Sequence, residues 1–283
     1  MKSNLPDKPG DNLRGAQHVP ADVAQAIARV AGRAGSMGRR MHWLESTAST
    51  NDVAARLAES GAEEGTTVVA DMQTAGRGRH GRVWFSPPGA GLYVSVIVRP
   101  GTGLDNDENP AALLTLASGV AIAEAVRAAT GLPAEIKWPN DVLIGGRKLA
   151  GILAEAAVQA GVLQFIVVGF GVNLQPAAYP PQLASRVTSI EVETTRPAER
   201  ALILAEILAA LGERYADLRA GRFDAILSAW RQLAPSLRGA LVEWDSPAGV
   251  VRGFAQDVDR HGALLVRVGA KVERVIAGEV RWL

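Results

Sequence analysis

The sequence contains no cysteine, which excludes disulfide bonds, thiolate metal sites and cysteine nucleophiles, and this fits a cytoplasmic protein. The formal net charge is only +1, so no global field attracts nucleic acid or a membrane surface. No run of about 18 apolar residues occurs, and we therefore expect no transmembrane helix. Residues 1–17 lack the apolar core of a signal peptide. Together these absences predict a cytoplasmic location.

The length of 283 residues exceeds the ~100–200 of a typical domain, which favours one large domain with a smaller one. Residues 1–19 are polar and rich in Gly, Pro and Asn, so we predict a disordered lead there. Residues 20–235 are expected to form the main domain. Helical periodicity vanishes after Pro235 and Ser236, and residues 236–283 are expected to form the smaller domain.

The main domain mixes helical and strand patterns. Apolar spacing and turn signals predict helices over 21–32, 50–60, 109–130, 198–220 and 222–233, strands over 42–45, 66–72, 92–98, 134–138, 142–144, 148–157 and 162–169, and irregular chain over 175–197. Strands dominate the middle and helices are grouped outside it. This order favours an α+β fold with a mixed sheet flanked by helices.

The C-terminal region carries short strand-like runs separated by turn signals. The runs cover 240–244, 250–257, 263–268, 272–277 and 279–283. Such a pattern over about 45 residues is typical of a small β-barrel. We therefore predict an SH3-like β-barrel over residues 236–283.

Residues 73–82 (QTAGRGRHGR) form a loop between two predicted strands, and it alternates glycine with Arg77, Arg79 and Arg82. Glycine lets the backbone approach a ligand closely. Arginine stays charged and offers a fork of donors that matches carboxylate and phosphate oxygens. The loop is therefore suited to binding an anion, or to holding two anions together.

Four segments together resemble those of biotin protein ligases, the biotin–[acetyl-CoA-carboxylase] ligases. They are residues 49–51 (STN), the loop 73–82, residues 137–141 (KWPND) with 147–153 (RKLAGIL), and residues 168–174 (VGFGVNL). The resemblance covers residues 40–283. It implies a class II synthetase-like biotinyl/lipoyl ligase fold. It also implies a carbon–nitrogen ligase that uses ATP, biotin and Mg²⁺ to modify a lysine of a biotin carboxyl carrier domain.

The implied reaction brings the biotin carboxylate onto the α-phosphate of ATP, giving biotinyl-5′-AMP before transfer to lysine. Two unit charges ~4 Å apart repel by about 4 kcal/mol at an effective dielectric of ~20. Fixed cations offset this repulsion and continue to do so in the transition state. We expect Arg79 to bridge the two anions and Lys148 to supply a second cation. Arg77 and Arg82 are expected to hold the loop or the pyrophosphate.

The resemblance also implies two binding regions. Hydroxyl and amide groups supply the donors and acceptors that the biotin head requires, and a glycine in an apolar strand admits close backbone approach. The expected biotin-binding residues are Ser49, Thr50, Asn51, Gln73, Arg77, Gly78, Arg79, Lys148 and Gly151. The expected ATP-binding residues are Arg79, Arg82, Trp84, Lys148 and Asn173. The metal ligands stay open, since Mg²⁺ keeps most of its waters.

The transfer step needs a neutral amine, although free lysine has a pKa of ~10.4. Asp141 is expected to orient that amine or accept its proton, so we group it with Arg79 and Lys148 as catalytic. Plainer interpretations remain open: Asp141 could close a turn, Trp84 could belong to the core, and Asn173 could serve a turn.

Two other functions fit parts of the sequence. A lipoate–protein ligase would share the general fold, but its motifs match KWPND and GRGRHGR less well. A nucleic-acid-binding module could use the loop arginines on phosphates. Only about 40 residues precede the first motif strand, fewer than the roughly 60 of a winged helix. We therefore expect a ligase without DNA-binding function, and a monomer or weak homodimer.

Overall fold

The computed structural model describes residues 18–100, 109–246, 249–276 and 280–283. The predicted disordered lead over 1–19 therefore lies almost wholly outside the described residues. A seven-stranded sheet has the order β1-β2-β3-β7-β6-β5-β4. Its strands are β1 (Met41–Leu44), β2 (Thr67–Ala70), β3 (Gly91–Val98), β4 (Glu135–Lys137), β5 (Asp141–Ile144), β6 (Arg147–Gln159) and β7 (Val162–Asn173).

The sheet is mixed, because β1 and β2 run parallel while the other neighbouring strands pair antiparallel. The α+β prediction is therefore confirmed. Strand β7 continues past its predicted end at Gly169, since residues up to Asn173 keep pairing with β3. The chain over 175–197, predicted as irregular, contains two short helices, α4 (Pro181–Ala184) and α5 (Ile190–Thr194).

Most helices cover one face of this sheet. α3 (Pro110–Thr130) lies on β4, β5, β6 and β7 and packs with α6 (Arg200–Arg219) and α7 (Phe223–Leu233), and α1 (Ala21–Ala34) packs on α6. Asn109 caps α3 by accepting a hydrogen bond from the Ala112 amide, and Gly131 ends the helix in the left-handed conformation. This side holds the main apolar core.

In the described residues, the other face of the sheet carries α2 (Thr50–Glu59) with a smaller apolar cluster. Side chains alternate between faces along a strand. In β3, Val94 and Val96 enter the main core while Ser95 faces α2. In β7 the same alternation turns Gly169 and Gly171 toward the α2 face. The fold thereby leaves an open, polar strip beside α2.

Helix α3 bears on the expectation that the chain has no transmembrane helix. It has the length and mean hydropathy, 1.5 over an 18-residue window, to cross a membrane, and 67% of that window is buried in the protein. Its burial is typical of a core helix.

The C-terminal region forms an antiparallel sheet in the order β11-β10-β9-β8-β12. Its strands are β8 (Leu241–Ser246), β9 (Gly249–Val258), β10 (Leu264–Val268), β11 (Lys271–Val275) and β12 (Val280–Trp282). In the described residues β11 and β12 do not pair with each other, so the predicted barrel stays a prediction. The ends of two predicted runs, at 277 and 279, lie outside the described residues. The indole nitrogen of Trp138 donates to Gly262 O at 3.0 Å and ties this sheet to the main domain.

Candidate active site

Three glycines form a flat floor on the α2 face of β6 and β7. Gly151 pairs with Gly171 across the two strands, and Gly169 lies two residues before Gly171. A Cβ atom added at Gly171 would lie 2.2 Å from Trp84 Nε1, and one at Gly169 would lie 2.0 Å from Asn51 Oδ1. Side chains therefore lie directly on the backbone here, and any residue larger than glycine would displace them.

A neutral hydrogen-bonding pocket lies at one end of this floor. Gln73 Oε1 accepts from the Thr50 amide at 2.9 Å and from the Thr50 hydroxyl at 3.1 Å. Its amide nitrogen donates to Ser86 Oγ at 3.0 Å. The Ser95 hydroxyl donates to Asn51 Oδ1 at 2.6 Å and lies 2.8 Å from the Thr50 hydroxyl. The pocket thus presents hydroxyls and amides in fixed orientations.

The amide group of Asn51 is oriented from its other side by an acidic residue. Asn51 Nδ2 donates to Glu155 Oε2 at 2.6 Å. Arg77 also binds Glu155, at 2.9 Å, and Asp52, at 2.7 Å. Asn51, Arg77 and Glu155 line a cavity of about 170 Å³ between α2 and the β6–β7 strands. The Arg77 guanidinium is therefore engaged in holding the pocket wall.

Positive charges gather at the opposite end of the floor. Lys148 Nζ lies 2.6 Å from Asp141 Oδ1 and 5.2 Å from the centre of the Trp84 ring. Lys137 is half-buried, and desolvation lowers its pKa, while the charge of Asp141 opposes that shift. Repulsion from Arg186 and Lys148 lowers the pKa of Lys137 further. This end of the floor is therefore prepared for an anion.

Arg79 lies at the tip of the glycine–arginine loop. The loop is closed by the Gly78 amide, which donates to Arg82 O at 2.7 Å, and by the left-handed conformation of His80 (φ 55°). Within the described part of the chain, the half-buried Arg79 guanidinium makes no hydrogen bond and no ion pair. Burial lowers its pKa, and the Asp141 charge opposes the shift. Burying part of a cation without a hydrogen-bond partner is costly, so this position of Arg79 suits an anionic ligand.

The structure brings most of the expected site residues to this floor. Those on the floor or in contact with its two ends are Thr50, Asn51, Gln73, Arg77, Trp84, Asp141, Lys148 and Gly151. Arg79 lies near enough to Asp141 for their charges to interact. Ser49 is buried just before α2 but makes no side-chain cap hydrogen bond to it. Asn173 is also buried, and its amide nitrogen donates to Thr188 O at 2.9 Å. Gly78 and the exposed Arg82 shape the loop turn.

Several residues of this region were not expected from the sequence. They are Ser86, Ser95, Lys137, Glu155, Gly169 and Gly171. The alternation of β3 and the GFG spacing of β7 contained a signal for three of them, since both patterns place small or polar residues on one face. Glu155 and Ser86 gave no such signal. Within the described ranges, no three His, Asp or Glu side chains gather into a metal site.

A floor that joins a neutral pocket to a cluster of cations suits an elongated small molecule with a hydrogen-bonding head at one end and an anionic group at the other. The chain belongs to the Biotin/lipoate A/B protein ligase family, whose model matches residues 43–173. It is 32% identical over 263 residues to the bifunctional ligase/repressor BirA of Bacillus subtilis, covering 92% of this chain and 79% of that protein.

Two further proteins match this chain over nearly their whole length. The biotin–[acetyl-CoA-carboxylase] ligase of Mycobacterium tuberculosis is 36% identical over 258 residues, which are 87% of this chain and 90% of that protein. The structure of the Aquifex aeolicus biotin protein ligase in complex with biotin and ATP matches with a TM-score of 0.73 at 27% identity. That match covers 87% of this chain and 99% of the other.

Proposed function

We propose that this protein is an ATP-dependent biotin protein ligase that forms biotinyl-5′-AMP and then biotinylates a lysine of a biotin carboxyl carrier domain. The observation that carries the proposal is the continuous floor from the Asn51 pocket to the Arg79 and Lys148 cations. Its relatives support the same activity, since they are biotin–[acetyl-CoA-carboxylase] ligases and biotin protein ligases with bound biotin and ATP.

In the first half-reaction the bicyclic head of biotin occupies the neutral pocket. Thr50, Asn51 and Gln73 supply the donors and acceptors that the ureido group requires. The valeryl chain lies over Gly151 and Gly171, and its carboxylate reaches Lys148. A carboxylate oxygen attacks the α-phosphorus, the bond from that phosphorus to the bridging oxygen breaks, and pyrophosphate leaves.

The cations lower the barrier to this step. Arg79 and Lys148 hold carboxylate and phosphate together against a repulsion of about 4 kcal/mol for unit charges ~4 Å apart at a dielectric of ~20. Lys148 leaves its contact with Asp141 for the incoming anion when the substrates bind. Once both cations contact the bound carboxylate and phosphate, little further reorganisation is needed during the reaction.

In the second half-reaction the carrier lysine attacks the carboxyl carbon of the adenylate. A carbon–nitrogen bond forms, the carbon–oxygen bond to phosphate breaks, and AMP leaves. Asp141, which lies beside Lys148, accepts a proton from the ammonium of the carrier lysine before the neutral amine attacks, or orients that amine. The mixed anhydride is protected from water while it is held on the floor.

The nucleotide contacts are proposed on the same basis. Trp84 stacks on adenine after moving from its position above the glycines, and Arg82 and Asn173 contact the phosphates. Magnesium would be held mainly through phosphate oxygens and its own waters, and Asp141 and the Asn173 side-chain oxygen would accept hydrogen bonds from those waters. When bound, it would neutralise part of the charge of the phosphates.

The partners and location follow from the same proposal. The protein partner is a carboxylase carrier domain, the location is cytoplasmic, and the protein acts as a monomer or weak homodimer without membrane or nucleic-acid binding. Some relatives are ligase/repressors, so the absence of operator binding needs a direct test. Specific operator binding with a log–log salt slope near −0.9 per phosphate contact would contradict it.

The experiment that tests the activity uses the purified chain with ATP, magnesium, labelled biotin and an apo carrier domain. We expect biotin-dependent pyrophosphate release followed by transfer of label to the carrier. Lipoate in place of biotin is the matched control, because the family model covers both ligases. Transfer of lipoate but not biotin would replace the proposal with the lipoate alternative.

A further inference from the structure

Lys137 is a cation that the mechanism above does not use. Its ammonium is half-buried, and in the described part of the chain it makes no hydrogen bond and no ion pair. The charge of Asp141 attracts it, and the charges on Arg186 and Lys148 repel it. Holding this charge partly out of water is costly, and an anion bound beside it would offset that cost together with Asp141.

Register places Lys137 in line with the floor of the site. Gly171 pairs with Gly151, Gly151 with Asp141, and Asp141 with Lys137, across four successive strands. Residues directly opposite one another share a face of the sheet, and neighbouring strands lie ~4.8 Å apart. Lys137 is therefore about 10 Å beyond Gly151, on the side away from the biotin pocket.

The aromatic ring of Trp282 holds this lysine in place. Lys137 Nζ lies 5.5 Å from the centre of the Trp282 ring, on β12 of the C-terminal sheet. Trp282 pairs with the buried Val242, and the sheet is fastened beside Lys137 by the bond from Trp138 to Gly262. A ring attracts a cation without neutralising it, so the charge stays available to an anion.

We propose that Lys137 binds the β- and γ-phosphates of ATP, the leaving pyrophosphate, and that Trp282 is the positioning residue that holds Lys137 for this contact. The inference deepens the proposed function and rests on it. The biotin carboxylate and the α-phosphate meet above Lys148. The β- and γ-phosphates extend across strands β5 and β4, past Asp141 and toward Lys137. The C-terminal sheet thus contributes to nucleotide binding through one ring.

The test uses the full chain with Lys137→Met, Trp282→Ala and Trp282→Phe, and measures pyrophosphate release at varied ATP and varied biotin. Lys137→Met is expected to raise the KM for ATP about 10- to 100-fold, the size of a lost charge-assisted contact, with biotin affinity unchanged. Trp282→Ala is expected to raise it about 2- to 5-fold, and Trp282→Phe to retain the wild-type value.

Phe254→Ala is the matched control, because Phe254 holds Arg267 at 5.3 Å in the same kind of contact on the exposed face of the same sheet. It is expected to leave the KM for ATP unchanged. An unchanged ATP KM in Lys137→Met, or an equal loss for ATP and biotin, would overturn the inference. A wild-type chain without biotin-dependent pyrophosphate release would instead overturn the proposed function. If Trp282→Ala fails to fold, the ATP KM values of Lys137→Met and Trp282→Phe still test the inference.

Discussion

Gly169→Ala should damage biotin binding through Asn51 alone. The added Cβ atom would lie 2.0 Å from Asn51 Oδ1 and 2.8 Å from its Cγ. Ordinary contact begins at about 3.5 Å, so the amide must move by more than ~1 Å. The Gly169 position lies within β7, paired with Leu153 of β6 and Ser95 of β3, which prevents the backbone from yielding instead.

The movement breaks the contacts that orient the Asn51 amide. Its Oδ1 accepts from Ser95 at 2.6 Å, and its Nδ2 donates to Glu155 at 2.6 Å. A neutral hydrogen bond contributes about 1 kcal/mol and one to a charged group about 1.5–3 kcal/mol. Their loss lowers the free energy of unfolding by about 2.5–4 kcal/mol. The displaced amide also loses its hydrogen bonds to the biotin head, about 1–3 kcal/mol, which corresponds to an increase of ~10–10² in the Kd for biotin.

The assay is isothermal titration of biotin into the folded variant, with thermal unfolding measured on the same sample. Gly119→Ala is the control. Gly119 lies inside helix α3, and its added Cβ atom would lie at an ordinary contact distance of 3.6 Å from Ile136. That variant should bind biotin normally. Combining Gly169→Ala with Asn51→Ala should cost little more than either alone, since both act on one amide. Wild-type affinity in Gly169→Ala, or full additivity with Asn51→Ala, would refute the reasoning.

Three further outcomes are expected. Arg79→Met should lower the adenylation rate ~10²–10³-fold and change the unfolding free energy by less than ~0.5 kcal/mol. A large loss of stability would show instead that the Arg79 guanidinium stabilises the fold. Asp141→Asn should preserve adenylate formation and slow transfer to the carrier, and equal damage to both steps would count against its role. Trp138→Phe should destabilise the protein by about 1–3 kcal/mol in denaturant unfolding, because Gly262 O loses its donor; an unchanged midpoint would show that water replaces the indole.

Much of the fold followed from local pattern. The helix over 109–130 was predictable because Asn109 and Gly131 mark its ends with residues whose local geometry favours those positions. The end of β7 was predicted too early, since Gly169 and Gly171 weaken a strand on their own. Pairing with β3 and β6 overrides that local weakness. The pairing cannot be predicted from the local sequence of one strand.

The KWPND motif (residues 137–141) was recognised in the sequence before the contacts of its residues were known. In KWPND, only Asp141 was given a role in advance. The structure shows Trp138 fastening the C-terminal sheet, Asn140 donating to Ile152 O at 2.8 Å, and Lys137 beneath Trp282. These partners lie 12 to more than 100 residues away in sequence, so no spacing rule links them.

The most direct test of the account is a single-turnover measurement of pyrophosphate release by Lys148→Met and Arg79→Met, with biotin and ATP saturating. Both variants should form biotinyl-5′-AMP at least ~10²-fold more slowly than wild type while remaining folded. Adenylate formation at the wild-type rate in either variant would contradict the claim that these two cations join vitamin and nucleotide above the glycine floor.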